Sequence, residues 1–356
     1  MHTALRSVFC SCFTLLLFNS LPTQAQDSID DGFHIQGEYI GYARIGGRGR
    51  RYTGLQVVAR GAGKFDAVLY RGGLPGAGWD RETKSKLSGQ RDEQGVTLVG
   101  GDVTLQLASD GSQWRAVVQR NGAPIGTLRK IFRISPTMGA SPARGAVVLF
   151  GGGDPEHLEN ATATADGLIN VLQSRGGFWT KDPVGDFRLH GEFRTPYEPA
   201  KSGQGRGNSG FYLQRRYEVQ VLDSFGLEGV HNECGGLYKQ KAPDVNMALP
   251  PLSWQTYDIF FTAARFDDKG NKTANARITV LHNGVRIHDN YEITNKTGAG
   301  RPEGPDPLPI LWQNHSNPVH YRNIWIVHDP ASMSDDACCK RRMRNRGRFR
   351  LFRRRS

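Results

Sequence analysis

Residues 203–224 read GQGRGNSGFYLQRRYEVQVLDS. A glycine-rich loop leads into two short runs that alternate apolar with polar side chains. That alternation belongs to strands with one face on a core. Tyr217, Val219 and Val221 form one set, and Glu218 and Gln220 the other. A turn of Arg215 and Arg216 alone would oppose Leu213 to Glu218 and mix core with polar. A three-residue loop that includes Tyr217 opposes Gln214 to Glu218 and Tyr212 to Gln220, and keeps each face uniform. The sequence thus predicts a sheet face carrying Tyr212, Gln214, Glu218 and Gln220. Amides and a carboxylate can bond hydroxyl groups while an aromatic ring covers C–H surfaces, so this face suits a carbohydrate. A hydrogen-bonded surface pair is the plainer use of Glu218 and Gln220.

Outward from this hairpin the chain remains strand-rich. Its 356 residues suffice for two domains. Apolar content of 38% is low but enough for sheets with one wet face. The 44 glycines and 18 prolines suit short strands and turns rather than long helices. Strand signals at 55–59, 65–70, 96–99, 103–107, 114–119 and 126–132 predict a small all-β domain over 26–140. Residues 135–142 read as a linker. Signals at 146–150, 187–195, 210–214, 217–223, 254–262, 276–282, 285–288, 309–313 and 321–328 predict a jelly-roll sandwich over 145–328. Asn283-Gly284 marks a tight hairpin turn, since both residues accept positive φ.

The ends carry other signals. Residues 1–25 read as a secretory signal peptide: Arg6 precedes an apolar run over 8–18, and Thr23-Gln24-Ala25 forms a small-x-small site. The run is short for a membrane span. A secreted, periplasmic or cell-surface location follows as an expectation, with no transmembrane segment after cleavage. The net charge of +12 is concentrated: residues 340–356 hold ten basic side chains and no acid, and residues 26–339 carry only +1. The globular body therefore gives no reason to expect nucleic acid as a partner. A disordered basic tail over 329–356 could contact an anionic cell surface. Beyond the signal, three cysteines remain, Cys234, Cys338 and Cys339, too few for a full disulfide framework. Cys234 reads as a small buried apolar residue, with pairing to the other two left open.

Glu218 is the leading candidate for proton transfer. The position two residues on, where a retaining glycosidase could place its second carboxylate, holds Gln220. Asp223 falls on the opposite face of the strand. His315, at a strand end, is the second candidate, as a base or a metal ligand. No His-x-His or His-Glu-x-x-His spacing occurs, so the cofactor is left open and no motif indicates a divalent metal. Residues 232–238 form a third candidate: Gly235 and Gly236 allow close backbone approach to a ligand, and Glu233 and Tyr238 could contribute proton transfer or hydrogen bonds, with a simple turn as the plainer reading.

These motifs together resemble the 3-keto-disaccharide hydrolase domain family, which has a concanavalin A-like lectin/glucanase fold. The resemblance rests on FRLHGEFR (187–194), NSGFYLQRRYEVQVLDS (208–224), GGLY (235–238), WQTYDIF (254–260), ITVLHNGV (278–285) and ILWQNHSNPVHYRNIWI (310–326). The N-terminal unit resembles the extension of some exported, planctomycete-type members. The resemblance implies a hydrolase, or a lyase and hydratase, acting on glycosides already oxidised at C3. Base-catalysed loss of the C2 proton, elimination of the glycosidic oxygen and hydration would cleave the bond without a second carboxylate. It implies Glu218 or His315 as base, with Arg194, Asn208, Tyr212, Gln214, Gln220 and Tyr238 binding substrate. Arg194 or Tyr238 would stabilise the enolate. Asn314 departs from the acid that relatives often carry beside the histidine. A non-catalytic carbohydrate-binding protein on the same sandwich is the alternative.

Overall fold

The computed structural model describes residues 30–45 and 49–328. The expected signal peptide and basic tail, with Cys338 and Cys339, lie outside the described residues. The described chain is almost entirely antiparallel β, with one five-residue helix, Asp31–Ile35.

The N-terminal unit is a closed eight-stranded barrel in sequence order: Gly37–Ala43, Arg51–Ala59, Lys64–Arg71, Lys84–Asp92, Gly95–Gly100, Val103–Ser109, Trp114–Arg120 and Ala123–Ile131. Its first and last strands pair, so no edge is left open. Leu55, Val57 and Ala59, then Phe65, Ala67 and Leu69, then Leu105 and Leu107 fill the interior at period two. Two strands escape the sequence reading. Lys84–Asp92 is polar throughout except Leu87, which alone is buried, so its pairing rather than its pattern makes it a strand.

The C-terminal unit is a jelly-roll sandwich. One sheet has the order Leu158–Glu159, Gly177–Thr180, Leu311–Gln313, Ser209–Leu213, Tyr217–Val221. The other has Ile169–Asn170, His320–His328, Phe187–Arg194, Gln255–Thr262, Ala276–His282, Val285–Ile293, with Val147–Phe150 also paired to His320–His328. Between them lie Phe178, Phe187, Leu189, Phe193, Phe211, Val219, Tyr257, Trp312 and Tyr321, all fully buried. Phe178 stacks on Trp312 with ring centroids 5.0 Å apart. Cys234 is free and buried, and burial pushes its thiol up to about 11, which makes it a poor nucleophile.

The expected linker is packed rather than loose. Thr137 Oγ1 donates to Asp258 Oδ2 at 2.8 Å, and the Gly139 amide donates to Glu192 Oε1 at 2.6 Å. Ser135 Oγ meets Thr256 Oγ1 at 2.6 Å. Glu192, Thr256 and Asp258 thus serve the junction between barrel and sandwich. His190 sits there too, bonded to Asp258 at 2.8 Å and stacked on Trp325. Burial alone would depress its pKa, but Asp258 and Glu192 raise it to about 9.

The Asn283-Gly284 turn forms as its sequence requires, with φ of 51° and 74° and with His282 opposite Val285. A Cβ on Gly284 would also lie 2.3 Å from Pro136 Cγ of the linker. Gly284→Ala should therefore lose more stability than Gly270→Ala, which has φ of +81° but open space around it. Urea unfolding of both variants should show an excess of about 1–3 kcal/mol for Gly284→Ala. Equal losses would remove the linker contact from the account.

Candidate functional site

The hairpin pairing is shifted by two residues from expectation. Leu213 pairs with Tyr217, Tyr212 with Glu218 and Gly210 with Gln220. The loop is Gln214-Arg215-Arg216, where Gln214 and Arg215 take φ of 49° and 52° and the Arg216 amide donates to the Leu213 carbonyl. A two-residue shift keeps each strand's faces, so Tyr212, Glu218 and Gln220 still share one side. Gln214 leaves it. Its Nε2 donates to the Val184 carbonyl at 2.6 Å and its Oε1 accepts from Arg216, which stabilises the turn.

Phe211, Leu213, Tyr217, Val219 and Val221 point into the core. Alternation sends Tyr212, Glu218 and Gln220 to the outward face of the five-stranded sheet. They are nonetheless buried, at 4%, 2% and 1% exposure, because loops cover them. Thr297 Oγ1 accepts from the Glu218 amide at 2.7 Å, and the Glu218 carbonyl accepts from the Tyr238 amide at 3.1 Å. Gly210 leaves room for the carboxylate: a Cβ there would lie 2.6 Å from Glu218 Oε1. Gly298, next to Thr297, brings that loop in against the Tyr238 ring, near Glu218 Oε2.

Glu218 Oε2 is buried without a hydrogen-bond partner, and so is Asn208 Oδ1. Burial raises the Glu218 carboxyl to about 7, against a partial offset by a hydrogen bond from Tyr212. Burial also drives the Tyr212 phenol well above its ordinary value, with the Glu218 charge adding to the effect; this phenol stays protonated. With the Gln220 amide turned so that its NH2 faces acceptors, it donates to Glu218 Oε1 at 3.1 Å and to the Ser209 carbonyl at 2.7 Å. Asn208 Nδ2 donates to the Gln204 carbonyl at 2.7 Å. Gln313 Nε2 reaches the Tyr212 hydroxyl at 3.4 Å. Two orphan acceptors beside a protonated phenol and several amides make a site that calls for hydroxyl donors.

The structure brings together Asn208, Tyr212, Glu218, Gln220 and Tyr238. It separates Arg194, which projects from the outward face of the seven-stranded sheet, across the sandwich core. There it lies over Trp254 at 5.0 Å, near Asp166 and Arg322. Arg194 therefore does not reach an enolate formed at Glu218. Asp223, on the other face of its strand, is buried against Arg206 at 2.7 Å. His315 is exposed in the loop that follows Leu311–Gln313. Asn314 ties that loop down by donating to the Ser174 carbonyl at 2.8 Å. Gln204 and Gln313 were missed. Gln204 sits in the glycine loop, where no periodicity assigns a direction. Gln313 could have been found by counting two from Leu311 along its strand. Among the described residues no group of three or more His, Cys, Asp or Glu side chains is placed to hold a metal ion.

The raised Glu218 carboxyl has a measurable consequence. Its ordinary value is 4.5 and its folded value about 7, so ionisation costs more in the folded state than in the unfolded one. Wild-type stability is full below about pH 4.5 and falls as pH rises through about 7. Glu218→Gln should gain on wild type by about 1–3 kcal/mol between pH 4.5 and pH 8, read by denaturant unfolding at each pH. A stability difference that does not change with pH would contradict a carboxyl held neutral by burial.

Comparison with known proteins adds the family. The model of the 3-keto-alpha-glucoside-1,2-lyase-like domain matches residues 145–327, the whole sandwich. Two similar solved structures are each described as a "putative glycosyl hydrolase" from Parabacteroides distasonis. One is 34% identical, covering 52% of this chain and 84% of that one, with a TM-score of 0.48. The other is 17% identical, covering 52% and 94%, with a TM-score of 0.38. No curated protein matches the chain.

Proposed function

The chain belongs to the 3-keto-alpha-glucoside-1,2-lyase-like family, a family of glycoside-acting enzymes, and on that basis we propose that it cleaves glycosides oxidised at C3 by elimination and hydration. The observation that carries this reading is Glu218 itself: buried, held near neutrality, and with Oε2 unpartnered. A general base works best when its pKa lies near the working pH. A nucleophile at glycosidase spacing would need a second carboxylate, and the neighbouring position on this face is Gln220.

The ketone at C3 acidifies the C2 hydrogen. Glu218 takes that proton as a carboxylate. The C–H electron pair becomes an enolate over C2, C3 and the C3 oxygen. Its collapse restores the ketone, forms the C1–C2 double bond and breaks the bond from C1 to the glycosidic oxygen. The proton on Glu218 passes to the departing oxygen, which leaves as an alcohol. Water then adds across the double bond, hydroxyl to C1 and proton to C2, so the net change is hydrolysis. The protonated Tyr212 phenol is a suitable hydrogen-bond donor for the enolate oxygen, with Tyr238 beside it. The amides of Gln220 and Asn208 would orient sugar hydroxyls. The signal-like residues 1–25 favour action outside the cytoplasm, with the basic tail held to an anionic surface.

Turnover of a 3-keto-glucoside tests the reading. Glu218→Gln should lower kcat by about 10²–10⁴-fold while sugar binding persists. Gly210→Ala, which crowds the carboxylate, should lower kcat by roughly tenfold or more. In wild type, kcat/KM should rise with pH through about 7, as the carboxyl loses its proton. Wild-type protein that binds sugar and turns over no 3-keto-glycoside would instead be a non-catalytic carbohydrate-binding protein.

A further inference from the structure

The pairing of the five-stranded sheet lines up one row of outward side chains. Glu218 opposes Tyr212, Tyr212 opposes Leu311, Leu311 opposes Trp179, and Trp179 opposes Glu159. All five share one face, since their neighbours Phe211, Trp312 and Phe178 are core residues. From Glu218 to Trp179 are three strand spacings, about 14 Å, longer than one pyranose ring. The next row begins with Gly177 opposite Gln313, and Gly210 opposite Gln220, so glycines and amides alternate beside the first row.

Burial is graded along this row. Glu218 and Tyr212 are almost wholly covered, Leu311 and Trp179 are partly exposed, and Glu159 is exposed. The closed end holds the groups that would move protons. The open end holds the apolar side chains. Trp179 is also held in place. The Arg215 guanidinium lies over its ring, 4.7 Å from the centroid, and the turn that carries Arg215 is anchored through Gln214 to Val184. Arg215 Nε is buried with no hydrogen-bond partner, so the contact with the ring is what orients it. An indole held by a guanidinium and partly exposed is a platform for the C–H face of a sugar ring.

We propose that Leu311 and Trp179 form the subsite for the leaving group, with Trp179 as the residue that sets which leaving groups are accepted. The proposal rests on the reading of Glu218 as the reacting end and adds a direction: the sugar to be cleaved lies over Tyr212 and Glu218, and the leaving group runs toward Trp179. Trp179 contacts the leaving group alone, so it sets specificity and takes no part in proton transfer.

Titration calorimetry with methyl glucoside and with glucosyl disaccharides of several linkages tests this. Wild type should bind at least one disaccharide about tenfold more tightly than methyl glucoside. Trp179→Ala should abolish that preference and leave methyl glucoside affinity unchanged, which also reports an intact fold. Trp179→Phe should keep most of the preference. The subsite is overturned if wild type shows no preference or binds neither sugar. It is also overturned if the preference survives in Trp179→Ala, or if methyl glucoside affinity falls in parallel. A disaccharide preference that depends on Trp179, together with no cleavage of the 3-keto forms, would sink the elimination chemistry and leave the subsite standing.

Discussion

A carboxyl on the outward face of a sheet normally meets water, and water would keep it ionised. Glu218 is denied that water by the loops that carry Tyr238 and Thr297, and Oε2 is left with nothing to bond. Burial without a partner is costly for a charged group, so the proton affinity of the carboxyl rises instead. Everything around the site follows from keeping that enclosure without filling it. Gly210 withholds a side chain beneath the carboxylate. Gly298 lets the Thr297 loop pass close to Tyr238. Thr297 and the Tyr238 amide bond the main chain of Glu218, which fixes the strand while leaving Oε2 unsatisfied.

The two faces of Tyr217–Val221 are therefore both buried, for different reasons. One contributes Tyr217, Val219 and Val221 to the sandwich core, where apolar contact supplies the stability. The other is covered by loops and holds polar groups. The seven-stranded sheet makes the opposite use of its outward polar side chains. His190, Glu192 and Asp258 bond one another and the linker from the barrel, so nearly every charge there has a partner. The contrast is between charges that have partners and hold the junction, and Glu218 Oε2, which is buried without one.

Much of this was legible in the chain. Alternation in 209–221 assigned Tyr212, Glu218 and Gln220 to a common face, and the Asn283-Gly284 turn was readable from its φ requirements. The Gln214 placement failed because face consistency fixes register only to within two residues. Choosing between the two settings took the turn conformation and the Val184 carbonyl, which is thirty residues away. Arg194 failed because alternation says which residues share a face of one strand and nothing about which sheet that strand joins. Lys84–Asp92 failed because closure of a barrel can recruit a polar strand through main-chain pairing alone.

By itself the sequence determined the class of fold, the two-unit order, the polar character of the face around Glu218 and the family resemblance. These are local properties, set by side-chain period, glycine and asparagine at turns, and the order of motifs. Only the tertiary structure decided that Glu218 is buried and its carboxyl raised, that Arg194 lies across the core, and that Trp179 shares a row with Glu218. Each depends on which distant strands pair and which loops close over them. Strand order and loop cover arise from contacts between segments far apart in the chain, and no local pattern encodes them.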